Sequence, residues 1–402
     1  MAKKKKIEKI KRSSICLVMI VKNESGVIKR CIDSVKDYID YWVICDTGST
    51  DDTKDIIKQT MEEYGIPGEI HDSEWVDYGT NRTESLQLSY GKCDYRLIID
   101  ADDTLDVSKP DELFTDLDAD HYKIRIKLGE IAYFRTQLIR SNQDWKYVGV
   151  LHEYLEGPKD IELTEGFIEE AEMNAAVSGD TRDIKGESKY HNDALIFEKE
   201  LITKPDLEPG LKSRYQFYLA QSYRDAQMYD RSIEAYEKRA EMGGWHEEVY
   251  ISLYMIAKMK YALKQPDEQI VGAFLKAWEY RPIRLEAAYS LIRVLITQKR
   301  YFFAFTIATM CMKMQPCDDI LFVESDIWTW KMTDEYSVLA YFTGNIKEAY
   351  LACNSIRNLP EFETFAETEQ KRIIKNLETF EKIFYEQYPD KKKPVEVEEI
   401  QL

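Results

Sequence analysis

At 402 residues the chain is too long for one typical domain of ~150 residues, and its 44% hydrophobic content supplies two or three packed cores. Lys and Arg number 55 against 73 Asp and Glu, for a formal charge of −18. That balance argues against an extended nucleic-acid or anionic-membrane footprint, which needs clustered positive charge, and leaves open a catalytic protein that holds a cation.

The chain opens on its one basic block, a tail over residues 1–12 in which Lys3, Lys4, Lys5, Lys6, Lys9, Lys11 and Arg12 outweigh Glu8. Like-charge runs of this kind are solvated. The apolar run Ile15–Val21 then passes straight into Lys22-Asn23-Glu24 without a small-residue cleavage site. It is too short for a bilayer and reads as a buried strand, so a soluble, cytoplasmic protein without a membrane span is expected. The seven cysteines are scattered, with no C-x-x-C and no zinc spacing, which fits reduced thiols.

After that first strand a helical pattern covers residues 26–36, an apolar stretch 41–45, a second helical pattern 51–64, a short stretch 69–71, a third helical pattern 79–90, and a last apolar strand 95–99. Strands separated by helices of this length imply βαβ units and a parallel sheet covered on both faces, an α/β domain of Rossmann-like kind. Polar motifs follow two of the strands, Asp46-Thr-Gly-Ser-Thr-Asp-Asp-Thr53 and Asp100-Ala-Asp-Asp103. Ligands in open α/β sheets bind at the carboxyl ends of strands, so both motifs are expected to face one crevice.

From Tyr122 the pattern alternates, 122–128 and 132–139, as a hairpin turning at Gly129-Glu130 with one wet face. The stretch 145–155 follows, then a polar, acidic passage to a boundary near Ser188, closing a first domain over 13–190. Residues 191–388 read as an all-α domain, and 389–402 as a charged tail. Pro282 and Pro316 stand 34 residues apart, with Phe274, Ala277, Leu291 and Ala304 on a tetratricopeptide-like pattern. Leu219, Ala220, Tyr223, Ser232 and Tyr236 mark an earlier unit, and Gly344, Asn345 and Ala349 a later one. Such repeats suit a peptide partner or self-association, and Trp245, Trp278, Trp328 and Trp330 are expected mostly as core.

Three carboxylates within four residues, Asp100, Asp102 and Asp103, repel one another unless a cation or protons neutralise them, and hard divalent ions such as Mg²⁺ or Mn²⁺ favour carboxylate oxygens. The plain alternative is an acidic turn, or a helix cap ahead of residues 107–117. The same letters fit a phosphatase of the haloacid-dehalogenase type, with Asp100 as nucleophile and Asp102 as acid, or the D-x-D of a nucleotide-sugar transferase. A dehalogenase-type motif opens its domain, whereas three βα units precede this one.

With Val21-Lys-Asn-Glu24 on the first strand and Asp46-Thr-Gly-Ser-Thr-Asp-Asp-Thr53 after the second, the chain resembles glycosyltransferase family 2, of the GT-A fold. The resemblance implies that Asn23, Glu24 and Asp46 hold the nucleoside of a UDP-sugar, Asp46 accepting from the uracil imide. Asp100 and Ala101 would meet the donor nucleotide, and Asp100 and Asp102 would hold Mn²⁺ or Mg²⁺. The alternative for the second motif is a helix cap, Asp51 or Thr50 before 55–63. The segment Asp77-Tyr-Gly-Thr-Asn-Arg-Thr-Glu-Ser-Leu86 looks like the family's helix before the D-x-D strand, so Arg82 would pair with diphosphate or orient Asp100; Thr83 stands where the family usually has Asn.

Gly149-Val-Leu-His-Glu153 resembles the His-Glu pair of members that carry helical repeats, which makes His152 a metal ligand and Glu153 the catalytic base, with His191 a weaker rival. The processive members' Gln-x-x-Arg-Trp is absent. The reaction implied is inverting transfer of one sugar per encounter to a protein, peptide, glycan or small-molecule acceptor. A scaffold whose α/β domain has lost activity is the non-enzymatic alternative.

Overall fold

The computed structural model describes residues 12–128, 131–175 and 189–391. Most of the basic tail, the turn at Gly129-Glu130, the boundary near Ser188 and most of the charged tail lie outside the described residues. The chain divides into two compact units between Lys189 and Tyr190.

In the first unit, β1 (Ile15–Val21), β2 (Tyr41–Asp46), β3 (Gly68–Asp72) and β4 (Tyr95–Ile98) alternate with α1 (Ile28–Val35), α2 (Thr53–Glu63) and α3 (Tyr78–Leu88). The continuous apolar run of β1 is explained by burial on both faces. Ile15, Leu17, Met19 and Val21 pack with Ile28, Ile32 and Val35 of α1 and Ile57 of α2. Cys16 and Val18 turn the other way, to Val43, Leu86 of α3, Ile98, Ile139 and Trp145. β3, β2, β1 and β4 are parallel.

The rest of the sheet is mixed and includes the expected hairpin. β6 (His121–Leu128), β7 (Ile131–Arg140), β10 (Glu165–Asn174) and β5 (Thr104–Val107) complete an eight-stranded sheet of order β3-β2-β1-β4-β7-β6-β10-β5. β7 runs antiparallel to both β4 and β6, and β5 antiparallel to β10. The segment 107–117 is not a helix. Thr104–Val107 takes the free edge of β10, and Phe114 and Asp116 follow with φ of 57° and 52°, left-handed values that a helix does not accommodate. A separate hairpin, β8 (Lys146–Val148) with β9 (Tyr154–Glu156), presents residues 149–153 between its strands.

The second unit is helical: α4 (Lys189–Thr203), α5 (Pro209–Asp225), α6 (Tyr229–Glu241), α7 (His246–Ala262), α8 (Asp267–Tyr280), α9 (Glu286–Thr297), α10 (Tyr301–Cys311), α11 (Met332–Phe342), α12 (Ile346–Arg357) and α13 (Glu367–Gln387). From α5 onward each packs on its neighbour in sequence, the arrangement of a tetratricopeptide-like array. Ala220, Ser232, Ala277, Ala304 and Ala349 are fully buried where helices approach closely, with Phe274 and Leu291 between them. Among the tryptophans, Trp330 stacks on Phe365 while Trp245 is exposed. Among the described residues no helix is long and apolar enough to cross a membrane.

One connection departs from the repeat pattern. Between α10 and a π-helical turn at Ile327–Lys331 the chain runs without regular structure and is strapped to earlier helices. Glu247 of α7 accepts from the backbone N–H of Ile320 and Leu321 at 2.8 and 2.7 Å, and Glu286 of α9 accepts from that of Glu324. Arg284, with no exposed surface, donates to Glu286, to Asp319 and to the carbonyls of Leu321 and Phe322.

Candidate active site

Two strand-end loops are sewn together by their own side chains. Asn23, at φ 57°, accepts the Thr50 N–H on Oδ1, and its own N–H goes to Ser49 Oγ. The Glu24 N–H donates to Thr53 Oγ1 and that of Ser25 to Asp51. Asp51 also receives the Thr53 N–H two residues on, a local turn rather than the expected helix cap, because the N-cap of α2 is Asp52 and its side chain caps nothing. Burial would raise the Asp51 carboxyl, but the bonds from Thr53 and Ser25 prevail and hold it down to about 2.

Asp46 is different. It is 1% exposed; Oδ1 accepts from Gly48 N–H at 3.0 Å and Ser49 N–H at 2.8 Å, while Oδ2 has no hydrogen-bond partner. A buried carboxylate oxygen without a donor is costly, and a ligand N–H would satisfy it.

Past β4, Asp100 meets Arg82 of α3, Nη2 to Oδ1, at 2.7 Å. Glu153 of the β8–β9 loop comes to 2.9 Å of Arg82 Nε, a charge contact without hydrogen-bond alignment. The Tyr147 ring lies 5.6 Å from the guanidinium. Burial opposes charge on Asp100, yet Arg82 and then Arg135 outweigh it and hold that carboxyl below its ordinary value. Arg82 is raised despite burial, chiefly by Asp100.

Local backbone brings these groups together. A Cβ on Gly79 would stand 2.2 Å from the Gly149 carbonyl oxygen, so only glycine lets α3 pass this close to the loop that carries Glu153. Gly149 at φ 115° and His152 at φ 50° bend that loop. Thr83, in the place of the family's usual Asn, accepts the Tyr147 N–H on Oγ1 at 2.9 Å and so ties α3 to β8.

The structure therefore gathers Arg82, Asp100 and Glu153. Ala101 is buried beside them, and the Asp102 carbonyl accepts from Arg30 of α1. Asp100, Asp102 and His152 do not converge: among the described residues no three His, Cys, Asp or Glu form a metal-sized cluster. His152 is on the exposed side of its loop, and His191 belongs to the helical unit, where it meets Met228. Of the two roles expected for Arg82, orienting Asp100 is the one its bonds describe.

Sequence reasoning missed Tyr147 and Arg135. Arg135 Nη2 stands 3.9 Å from Asp100 Oδ2, on the side away from Arg82's contact with Oδ1. The antiparallel register Tyr95↔Arg140, Arg96↔Ile139, Leu97↔Leu138, carried onward, sets Arg135 opposite Asp100. In the alternation of the hairpin it looked like any wet-face residue.

Residues 16–137 match the family model described as glycosyl transferase family 2. The first unit carries a family 2 glycosyl transferase domain. The SPbeta prophage-derived glycosyltransferase SunS of Bacillus subtilis is 36% identical over 95 residues, 24% of this chain and 21% of SunS. A TPR repeat-containing protein of Synechococcus elongatus is 28% identical over 152 residues, 36% of each chain. The matched stretches thus span about a third or less of these curated relatives. Among solved structures, S. aureus TarS is similar at TM-score 0.35 and 14% identity, over 64% of this chain and 54% of TarS. The TPR protein YrrB is similar at TM-score 0.30 and 14% identity, over 41% of this chain and 75% of its own. At these scores the likenesses carry no weight; the GT-A-like and repeat architectures stand on topology and packing. The family 2 match covers Asp100 and Asp102 and so favours the transferase reading of the D-x-D over the phosphatase one.

Proposed function

We propose that the protein is a metal-dependent, inverting glycosyltransferase that moves a single sugar from a UDP-sugar to a protein, peptide, glycan or small-molecule acceptor. The observation that carries this reading is Asp46 Oδ2, a buried acceptor without a donor at the end of β2, within the matched segment. A carboxylate there accepts the ring N–H of uracil or guanine and repels the ring nitrogen lone pairs of cytosine and adenine. Family resemblance favours uracil.

Asp102 offers a partly exposed carboxylate, and hard divalent ions take one or two carboxylates together with substrate phosphates rather than an all-protein cage, so the donor set fits Mn²⁺ or Mg²⁺. When bound, such an ion neutralises charge on the departing diphosphate. Arg82 holds Asp100 and Glu153 in fixed relation. Glu153 is the carboxylate assigned to take the acceptor's proton as the new bond forms, which gives inversion when the acceptor approaches opposite the leaving group.

The test is nucleoside-diphosphate release from UDP- and GDP-sugars with Mn²⁺, Mg²⁺ or chelator, for the wild type and Asp102→Asn. Metal-dependent release from one donor, reduced at least ~100-fold in the variant, is expected. No release from any donor, with no thermal stabilisation by UDP and Mn²⁺, overturns the reading in favour of a scaffold.

A further inference from the structure

We infer that Arg135, rather than Arg82, is the arginine that meets the diphosphate of the donor. The inference rests on the nucleotide-sugar reading and concerns which cation serves it.

Arg82 has little left to offer a ligand. Its side chain is 15% exposed, Nη2 is spent on Asp100, Nε faces Glu153, and Tyr147 covers the guanidinium. Arg135 differs in exposure and in what its Nη groups meet. Its side chain is 45% exposed, and the 3.9 Å to Asp100 Oδ2 is a charge contact too long for a hydrogen bond. Nε donates to Gln137 Oε1 at 3.0 Å, and among the described residues its two Nη groups make no hydrogen bond.

The support beneath it is buried. Gln137 is 1% exposed and donates in turn to Met173 Sδ on β10. Arg135 is thus held by its Nε end, its forked Nη end directed to the strand end where Asp100 begins the D-x-D. A guanidinium so presented matches two phosphoryl oxygens, and its charge opposes the charge that grows on them as the sugar leaves. Asp100 sits between a buried arginine that fixes it and a solvent-facing one left to act.

The experiment is an NMR titration with the nucleoside, monophosphate and diphosphate of the base selected by the donor panel, with Mn²⁺ replaced by diamagnetic Mg²⁺, on wild type, Arg135→Ala and Arg135→Lys. The expected result is that Arg135→Ala weakens the diphosphate ~10- to 100-fold while the nucleoside changes less than about twofold, and that Lys restores part of the loss, as a point charge lacking the fork does. Equal diphosphate binding by Arg135→Ala overturns the inference, as does a parallel loss of the nucleoside, which would mean a purely structural role. Failure of the wild type to bind any of the three overturns the underlying reading, and this assignment with it.

Discussion

Arg82 in the first unit and Arg284 in the second are both arginines set among carboxylates, under an aromatic ring, at places where loops meet regular elements. Around Arg284 the account closes. Glu286 and Asp319 are 1% and 4% exposed, and the remaining donors go to backbone carbonyls. Around Arg82 it stays open: Asp100 is 32% exposed, a second arginine stands just out of bonding range, and a buried Asp46 oxygen at the end of β2, two strands away in the sheet, has no donor. Buried charge alone does not mark a site. Unspent valence beside water does.

Removing each arginine in turn separates the two clusters most strongly. Arg284→Ala strands carboxylates away from water and is expected to cost about 3–5 kcal/mol in denaturant unfolding. Arg82→Ala leaves partly hydrated partners, with an expected cost nearer about 1–2 kcal/mol, yet a loss of at least ~100-fold in sugar release. If Arg82 proved the more destabilising, or Arg284→Ala at retained fold the more damaging to catalysis, the distinction between the clusters would fail.

A finer probe moves the open cluster without touching its charges. Gly79→Ala forces α3 and the Glu153 loop apart, since the new methyl meets a backbone oxygen. About 1–3 kcal/mol of stability and ~10-fold in turnover are expected to go, read by unfolding and by initial rates. Wild-type kinetics would mean that the approach of α3 to Gly149 does not position Glu153.

The smallest effect lies in the helical unit. Glu335 of α11 borders a cavity of about 550 Å³ lined by Met259, Ala262, Phe274 and Val294. Burial first, then the charge of Asp334, raises its carboxyl to about 7, against Arg293 and Arg372. Between an unfolded value of 4.5 and about 7 the folded chain holds the extra proton, so stability falls as pH rises through that window. Glu335→Gln should flatten the dependence and gain about 1 kcal/mol at pH 8 relative to pH 5 in urea unfolding. An unchanged slope would assign it to other groups.

Much of this was legible in the chain. The buried strand Ile15–Val21 is copied residue for residue, because seven apolar residues admit only an element covered on both faces. Asp46, Arg82 and Asp100 could be found from strand ends and motif order. β10 could not: Glu165, Glu169, Glu170 and Glu172 hide a strand whose inner residues, Ile168, Ala171 and Met173, occupy an irregular pairing with β6. Arg135 stayed hidden for a related reason. Its importance comes from a register between β4 and a hairpin strand far along the chain, and nothing local to Phe134-Arg-Thr136 announces it.

The strap between α10 and α11 bears on how the helical unit comes apart. In a stack where each repeat touches only the next, unfolding can begin at an end and travel unit by unit. Here Glu247 of α7 grips backbone 73 and 74 residues downstream, and Arg284 holds the same segment from the start of α9. Fraying from the C-terminal end therefore cannot pass α11 without breaking the backbone hydrogen bonds to Glu247 of α7 and the buried Arg284–Asp319 ion pair. The strap makes these helices melt as one cooperative block, as a cable lashed across several planks makes them lift together.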